Sequence, residues 1–331
     1  MPHVVAAPDK FRGTASAGQI AAAVAAAADD AGWTSDQVPV ADGGEGLLEV
    51  LGGSARRTVV TGPLGPPVEA EWRMLEGTAV IEMARASGLL LAGGPEGNDP
   101  LRASTLGTGE LIAAALAEGA RRIVVGVGGS ATTDGGLAAM RALHSKGRLA
   151  GVELIVACDV STRFVDAART FGPQKGATDA QVALLERRLE RLAQVYVEDH
   201  GVDVRELEGS GAGGGLAGGL AAIGATLIPG FDLVADLVGL EDRMEGADLV
   251  ITGEGFVDEQ SFEGKVVGGV LELAELNGVP ALVVAGEVLA AVPAPARAVS
   301  LVERFGRERA MTDTLACVRE VVQGELVTLA R

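Results

Sequence analysis

The chain has 331 residues and a formal net charge of −18, with 22% charged and 3% aromatic residues. The length favours two domains, and the negative charge argues against nucleic acid or an anionic membrane as a partner. Two cysteines, Cys158 and Cys317, are too few for a disulfide framework and predict buried free thiols in a reducing compartment. The first residues carry no signal-peptide pattern, which predicts a cytoplasmic protein.

Short apolar strands alternate with Ala- and Leu-rich helices, which is the pattern of parallel βα units. The predicted strands are residues 3–7, 38–41, 56–61, 68–74, 79–82, 123–127, 153–158, 248–252 and 281–285. The predicted helices are one that follows Ser16 and those at residues 47–51, 137–143 and 179–195. Ser16 and Gln19 have the spacing of a capping box, which marks the start of the first helix.

Two segments depart from this simple alternation. At residues 54–82, three short strands joined by Gly-Pro turns predict a mixed or antiparallel sheet. Residues 209–231 carry no charge and are long enough to span a bilayer, but their many glycines favour a buried helix with a Gly-rich entry. We therefore predict a two-domain α/β protein. A Rossmann-like parallel-sheet domain comprises residues 1–55 and 232–331, and a mixed α/β domain of residues 56–231 is inserted into it.

Acidic residues and Gly-rich turns follow several of the predicted strands. In open α/β sheets, ligands bind beyond the carboxyl ends of the strands. The polar residues at these positions are Asp9, Lys10, Asp42, Glu45, residues 130–134, Asp159, Glu254 and Asp258. No histidine belongs to this set, which argues against a His-based triad or a His-ligated zinc site. Carboxylates beside Gly-rich turns suit Mg²⁺, which binds one or two carboxylates together with phosphate oxygens.

Two Gly-rich loops precede predicted helices, at residues 128–136 and 209–215. A loop between a strand and a helix holds phosphate through its backbone N–H groups and the helix dipole. Neither loop has the Walker A sequence or the dinucleotide-binding sequence Gly-x-Gly-x-x-Gly. Three of the four lysines, Lys10, Lys175 and Lys265, lie in Gly-rich or acidic segments. Together, these features predict phosphoryl transfer, in which positioning and charge neutralisation dominate.

Purely structural roles stay open for several of these residues. Asp42 is also typical of a helix cap, and Asp134 is typical of a turn before two glycines. Lys175 and Lys265 are also consistent with solvated surface charges. Residues 213–219 are also consistent with close helix packing alone.

With these motifs in hand, the chain resembles the bacterial type I glycerate kinases, the group that contains the glycerate 2-kinases. The resemblance covers nearly the whole chain and rests on residues 7–13, 41–46, 107–112, 127–136, 157–160, 171–178, 251–255, 258–261 and 264–266. It implies ATP-dependent phosphorylation of D-glycerate with Mg²⁺, on a two-domain α/β fold with a cleft between the domains. It favours the 2-hydroxyl as acceptor, giving 2-phosphoglycerate, and leaves 3-phosphoglycerate as an alternative.

The convergence of acidic groups on strand ends motivates a hypothesis for the chemistry. Asp42 is the candidate general base that accepts the proton of the attacking glycerate hydroxyl. The reverse assignment, with Asp159 as base and Asp42 on the metal, stays open because both are Asp at a strand end. Glu45, Asp159 and Glu254 are the candidate ligands of Mg²⁺ or its waters.

The basic residues and the Gly-rich loops are the candidate binding groups. Lys10, Arg12 and Lys175 would neutralise the transferred phosphoryl group or the glycerate carboxylate. Lys265 would serve the nucleotide or an interdomain carboxylate. The other candidate phosphate- or substrate-binding residues are Asp9, Gly43, Gly44, Glu45, Gly129, Ser130, Thr132, Asp134, Gly213 and Gly214.

Two features depart from the family pattern. The first motif more often reads Asp-Ser-Phe-Lys, whereas residues 9–12 read Asp-Lys-Phe-Arg, which leaves open whether Lys10 or Arg12 meets phosphate. The link between residues 143 and 153 is shorter than in many relatives. The resemblance therefore does not establish that a loop or lid lies near the cleft.

Two other functional classes stay open. One is a nucleotide- or phosphate-binding regulatory protein without catalysis, against which the intact acidic set argues. The other is an NAD(P)-dependent oxidoreductase, which the absent dinucleotide-binding sequence disfavours. The sequence does not fix the oligomeric state, and a homodimer is one alternative.

Overall fold

The computed structural model describes residues 1–143, 149–262 and 264–329. The chain divides into two compact units, which we call unit 1 (Met1–Asp42 and Phe231–Arg331) and unit 2 (Gly43–Gly230). The first crossing between units precedes the predicted limit at residue 55, because the short helix after residue 46 packs on a strand of unit 2. The domain limits themselves stay a prediction. Residues 144–148 of the short link lie outside the described residues.

The described residues form thirteen strands and fifteen α-helices. The strands are β1 (His3–Ala6), β2 (Thr34–Gln37), β3 (Ser54–Thr61), β4 (Pro67–Leu75), β5 (Thr78–Glu82), β6 (Arg122–Gly126), β7 (Glu153–Cys158), β8 (Thr226–Pro229), β9 (Leu249–Thr252), β10 (Phe256–Val257), β11 (Ala281–Ala285), β12 (Glu287–Val288) and β13 (Arg297–Ser300). The helices are α1 (Ala17–Asp30), α2 (Leu47–Leu51), α3 (Ala84–Ser87), α4 (Gly94–Gly97), α5 (Leu106–Ala117), α6 (Leu137–Leu143), α7 (Ala167–Phe171), α8 (Asp179–His200), α9 (Leu216–Ala222), α10 (Gly230–Val238), α11 (Leu240–Met244), α12 (Val266–Leu276), α13 (Leu301–Phe305), α14 (Arg307–Thr312) and α15 (Thr314–Leu329).

Unit 1 is built on a parallel sheet in which the strand order is β13-β11-β9-β1-β2. Strand β9 is buried at every position, as expected for a central strand of a parallel sheet that is covered on both faces. Helices α1 and α15 pack together, and Val24 and Val318 join Ile251 in one apolar core. The predicted Rossmann-like arrangement is confirmed, and the carboxyl ends of β2, β1 and β9 lie side by side.

The prediction of the second strand at residues 38–41 was wrong. Strand β2 is Thr34–Gln37, which pairs with β1 in parallel from His3–Thr34 to Ala6–Gln37. It lies at the edge of the sheet, where polar residues are tolerated because one side faces solvent. Val38 and Val40 are nevertheless buried, and their N–H groups donate to the carbonyl oxygens of Ala6, at the end of β1, and of Pro8 beyond it. Residues 38–41 are therefore a buried loop and not a strand.

Unit 2 is built on a mixed sheet in which the strand order is β3-β4-β5-β6-β7-β8. The pairs β3–β4 and β4–β5 are antiparallel, and the other neighbours are parallel. The mixed sheet predicted from residues 54–82 is therefore confirmed. The core of the unit contains Trp72, Ile81, Leu111 and Ile123, all fully buried.

The single buried helix predicted for residues 209–231 was wrong in its extent. Helix α9 ends at Ala222, and β8 follows after Gly224. Gly224 has a φ of +102°, a backbone conformation that glycine adopts readily and that is unfavourable for other residues. Among the described residues, no helix is both long and apolar enough to cross a membrane. The two cysteines are both buried and free, as predicted.

Helix ends follow from local capping. Ser16 caps α1, and its side chain and that of Gln19 form the predicted capping box. Thr178 and Gln181 form a second box at the start of α8, which runs five residues beyond its predicted end at 195. That helix stops where Gly201 adopts φ +73°, a left-handed conformation typical of a helix C-terminus.

Candidate functional site

Three carboxylates of unit 1 follow adjacent strands of its parallel sheet. Asp9 follows β1, Glu254 follows β9, and Asp42 follows the segment after β2. The N–H of Asp9 donates to the carbonyl oxygen of Gly253 at 2.9 Å, which ties the first two loops together. We call Asp9, Asp42 and Glu254 the acidic cluster.

The electrostatics of Asp9 show that the acidic cluster is close-packed. Asp9 is only 7% exposed, and burial is the main reason that its pKa is raised from 3.8 to about 7. The Lys10 ammonium, 3.6 Å from Asp9 Oδ1, opposes this rise in pKa, whereas the charges of Asp42 and Glu254 add to it. The three carboxylates are therefore close enough for their charges to act on one another.

Glu254 supplies a carboxylate oxygen without a partner. Burial is the main cause of its raised pKa, which Ser261 and Lys265 oppose and which Asp258 and Asp42 reinforce. Its Oε1 atom is buried and has no hydrogen-bond partner among the described residues. A buried, unpaired carboxylate oxygen is costly unless a ligand or ion completes it.

The two basic residues of the first motif differ in their surroundings. Lys10 is mostly buried and paired with Asp9. Arg12 is exposed and makes no ion pair or side-chain hydrogen bond within the described part of the chain. Arg12 is therefore the more available cation for an incoming anion, and Lys10 stabilises the acidic cluster.

Asp258 and Lys265 complete the predicted residues of unit 1. Asp258 Oδ1 accepts N–H bonds from Gln260 and Ser261, at 2.9 and 3.2 Å, so it shapes the turn after β10. Lys265 precedes α12 and is half-buried, and its charge lowers the pKa of Glu254. Lys265 is therefore not a solvated surface charge.

In unit 2, the loop at residues 43–46 is held by Glu82, which the sequence analysis did not single out. Glu82 ends β5, is 3% exposed, and accepts the N–H groups of Gly46 and Leu48 at 2.9 and 3.1 Å. Gly43 has φ +85°, and a Cβ there would lie 2.7 Å from Gly230 Cα. Glu45 is exposed on this loop. The sequence signal that could have identified Glu82 is its position, because it is an acidic residue at the end of a predicted strand.

Lys175 is buried against the Gly-rich loop at residues 128–136. It is 3% exposed, and its Nζ donates to Ser130 Oγ at 2.8 Å and to the Thr132 carbonyl oxygen at 2.7 Å. Burial lowers its pKa from 10.5 to about 7, and the nearby charge of Asp134 opposes that shift. The surface-charge alternative for Lys175 is therefore excluded.

Asn98 is a second residue that the sequence analysis missed. Its Nδ2 donates to the carbonyl oxygens of Ala131 and Lys175, at 3.0 and 2.9 Å. It therefore joins the backbone of the loop at 128–136 to the 3₁₀ turn that carries Lys175. No repeat or motif marks Asn98 in the sequence, so only the fold reveals this role.

Asp134 acts as a buried acceptor at the end of the same loop. It accepts the N–H and the hydroxyl of Thr105 at 2.9 and 2.8 Å and the N–H of Gly136 at 3.2 Å. Burial raises its pKa, and these hydrogen bonds oppose the rise. Asp134 thus holds the loop to α5 as well as forming the turn.

Gly213 and Gly214 bring the second Gly-rich loop against the first. Both have positive φ, and Gly213 O accepts a hydrogen bond from Thr132 Oγ1 at 3.3 Å. A Cβ at Gly214 would overlap the carbonyl oxygen of Thr132. Close backbone approach therefore requires glycine at this position.

We expect Gly214→Ala to destabilise the protein by about 2–5 kcal/mol. The substitution forces a left-handed residue, at about 1–2 kcal/mol, and a shift of the packed loop, at about 1–3 kcal/mol. Urea unfolding measures this change. Gly201→Ala is the matched control, because its φ of +73° is similar to +69° at Gly214 but nothing lies within 4 Å of its Cβ. Equal losses for the two variants would contradict the overlap.

Asp159 lies at the carboxyl end of β7, beside β6 and its Gly-rich loop. It is partly exposed. Burial raises the pKa of the preceding Cys158 thiol to about 11, and the charge of Asp159 adds to the rise. Cys158 is therefore a core thiol, and Asp159 is the more exposed of the two residues.

The predicted site residues thus fall into two sets. The set in unit 1 is Asp9, Lys10, Arg12, Asp42, Glu254 and Lys265, and the set in unit 2 is Gly43, Gly44, Glu45, Gly129, Ser130, Thr132, Asp134, Asp159, Lys175, Gly213 and Gly214. Among the described residues, no group of three or more His, Cys, Asp or Glu side chains is arranged to hold a metal ion by itself.

Comparison with known proteins places this arrangement in a family. The model of the glycerate kinase family matches residues 4–147 and 144–323. The chain is 39% identical to glycerate 2-kinase of Escherichia coli K12 over 327 residues, covering 86% of this chain and 85% of that protein. It is 39% identical to a glycerate kinase of Bacillus subtilis 168 over 325 residues, covering 86% and 85%.

A solved structure agrees in fold. The crystal structure described as glycerate kinase 2 from Salmonella typhimurium LT2 superposes with a TM-score of 0.86 and 34% identity, covering 99% of this chain and 98% of that one. The resemblance inferred from the motifs is therefore confirmed, and with it the expected enzyme class, a kinase. The chain belongs to the glycerate kinase family.

Proposed function

We propose that this protein transfers the γ-phosphoryl group of ATP to the 2-hydroxyl of D-glycerate, giving 2-phosphoglycerate and ADP. Family membership supports the kinase and its two substrates, and the name of the Escherichia coli relative, glycerate 2-kinase, supports the position of transfer. The observation that carries the proposal is the acidic cluster at the carboxyl edge of the unit 1 sheet.

In this proposal, Asp42 is the general base. Its carboxylate accepts the proton of the glycerate hydroxyl, whose oxygen attacks the γ-phosphorus. The bond from that phosphorus to the bridging oxygen breaks, and ADP leaves. Asp42 suits the role because it lies at the carboxyl edge of the unit 1 sheet, where its charge acts on both Asp9 and Glu254.

The residues of the acidic cluster fit a magnesium ion. Glu254 Oε1 is buried and has no hydrogen-bond partner among the described residues, and the carboxylates of Asp42 and Glu254 are close enough for their charges to act on Asp9. Mg²⁺ is bound by one or two carboxylates and completed by phosphate oxygens and water, so a protein cage of three ligands is not required. Glu254 would hold the ion, with Glu45 and Asp159 as the other candidates, and the ion would neutralise phosphate charge.

Residues of unit 2 supply the proposed anion contacts. Ser130 and Thr132 lie in the loop that follows β6, where backbone N–H groups suit an anionic oxygen. Within the described residues, the N–H groups of Gly129 and Ser130 donate to no other group. Lys175 holds Ser130 Oγ in place, so we assign it to positioning this loop.

A coupled assay of ADP release with Mg²⁺-ATP and D-glycerate, followed by ³¹P NMR of the product, tests the proposal. We expect ADP release and a phosphomonoester at O2. A phosphomonoester at O3 would overturn the position of transfer, and ADP release with a different hydroxy acid alone would overturn the substrate. ATP binding without transfer to any acceptor would overturn the activity and favour a regulatory protein.

A further inference from the structure

One aromatic side chain stands apart from the other rings of this protein. Phe256 is 48% exposed, and no other aromatic side chain in the described residues falls in the exposed class. The chain has few aromatic residues, and the large rings elsewhere, such as Trp72 and Phe164, are buried. An exposed ring in a protein whose other rings are buried or half-buried is an informative feature.

Phe256 lies on the outer face of the small sheet formed by β10 and β12. The two strands are parallel, with Phe256 opposite Glu287 and Val257 opposite Val288. Val257 is fully buried and packs with Val283 and other apolar residues of unit 1. Because successive side chains of a strand point to opposite faces, Phe256 points away from this core.

Leu289 extends the same outer face. Its N–H donates to Val257 O at 2.8 Å, which continues the pairing of β12 with β10. It follows the inward Val288 by one residue and is 65% exposed. Phe256 and Leu289 are therefore the two apolar side chains of this outer face, which also carries Glu287 opposite Phe256, paired with Arg307. We call this face the β10–β12 platform.

The platform lies beside the polar groups of unit 1. Glu254, with its unpartnered Oε1, precedes Phe256 by two residues, about 7 Å of extended chain. Gly255 packs on the loop after β1, since a Cβ at Gly255 would be 3.3 Å from Arg12 N. Arg12 is exposed and makes no ion pair within the described residues. An apolar surface, a free guanidinium and an unsatisfied carboxylate thus follow one another along this edge.

We propose that the β10–β12 platform binds the adenine base of ATP, with the ring of Phe256 stacked on the base and Arg12 beside the phosphates. The inference rests on the proposed function and names the nucleotide-base site within it. Glycerate has three carbons, each bearing a polar group, so it offers no flat apolar surface to a phenyl ring. A heteroaromatic base does, and stacking on aromatic side chains is a common mode of base recognition.

The first test is the kinetics of Phe256→Ala. We expect the KM for ATP to rise about tenfold or more, as for other stacked bases, with the KM for D-glycerate unchanged. Phe256→Tyr and Phe256→Trp retain a ring and should keep the KM for ATP near the wild-type value. Leu276→Ala is the matched control, because Leu276 is an apolar side chain of unit 1 that is 74% exposed and lies on α12.

The second test does not depend on turnover. In Phe256→Trp, we expect ATP to quench the new exposed indole and Mg²⁺-tripolyphosphate, which has the phosphates without the base, to leave it unchanged. Trp33 and Trp72 are buried, and titration of the wild type gives their background. Equal quenching by both ligands, or none by ATP, would overturn the platform.

The outcomes separate this inference from the proposed function. If the wild type phosphorylates glycerate and folded Phe256→Ala and Phe256→Tyr both keep the wild-type KM for ATP, the platform is wrong and the function stands. If the wild type transfers no phosphate but ATP still quenches Phe256→Trp selectively, the platform stands and the function is wrong. A rise in the KM for glycerate alone, or a change from dimer to monomer in light scattering with the KM for ATP unchanged, would also overturn the platform.

Discussion

Asp42→Asn is expected to lower kcat/KM for D-glycerate by about 10²–10⁴-fold while leaving the fold intact. The amide is nearly isosteric with the carboxylate but does not accept the hydroxyl proton, and a positioned base contributes about this factor. Binding of ATP should change little, because the substitution removes proton transfer rather than the contacts proposed for the nucleotide. The measurement is steady-state kinetics in the ADP-release assay, with nucleotide binding followed by calorimetry.

Two further variants decide how the Asp42 result is interpreted. Asp29→Asn is the control, since Asp29 is an exposed carboxylate on α1 of the same unit, and it should keep full activity. Asp159→Asn tests the reverse assignment. Near-full turnover in folded Asp42→Asn, together with a loss of 10²-fold or more in Asp159→Asn, would move the base to Asp159.

The parallel sheets and their strand-end residues were predictable because both depend on local patterns. Strands such as β6 and β9 are buried on both faces in a parallel sheet. Their sequences are therefore continuous apolar runs, which identify them as buried strands. Chain connectivity then places Asp9 and Glu254 at one edge. The sequence therefore predicted which loops lie together at this edge of the sheet.

The edge strand β2 and the buried contacts of the loops were not predictable in the same way. Strand β2, Thr34–Gln37, is polar because it lies at the sheet edge, and it has no apolar signal to detect. The partners of Lys175 and Asn98 are 33 to 77 residues away in the sequence. Such contacts depend on tertiary packing, which residue spacing does not encode.

Lys175 illustrates how the fold adds to a prediction made from the sequence. Lysine is rare in this chain, and Lys175 was predicted to neutralise the transferred phosphoryl group or the glycerate carboxylate. Its ammonium group instead points at Ser130 and Thr132 of the adjoining loop. Lysine fits there because it is narrow, whereas a planar guanidinium requires more space and more acceptors.

Lys175→Met is accordingly expected to lower kcat/KM by about 10²-fold and to change how stability depends on pH. Loss of the Nζ donor releases Ser130 Oγ and Thr132 O, and a displacement of about 1 Å in a reacting group costs about this much in rate. Lys175→Arg should not restore activity, because the site is 3% exposed and the larger group disrupts the packing. Kinetics of both variants test this expectation.

The pH dependence follows from the direction of the Lys175 pKa shift. The pKa is about 7 in the folded protein and 10.5 in the unfolded chain, so between these values the unfolded chain binds more protons. The free energy of unfolding contributed by Lys175 therefore rises with pH across this window, and the cost of burying the charge is largest below pH 7. In a variant without Lys175, this increase in the free energy of unfolding with pH is absent.

The loss of stability in Lys175→Met should thus be smallest at pH 6 and increase by about 1 kcal/mol per pH unit between pH 7 and 9. Urea unfolding of the wild type and the variant at pH 6, 7, 8 and 9 measures the difference. Arg187→Met is the control, because Arg187 is exposed on α8 and has no ion pair among the described residues. A difference between wild type and Lys175→Met that stays constant with pH would show that Lys175 keeps its proton throughout, because Asp134 then outweighs burial.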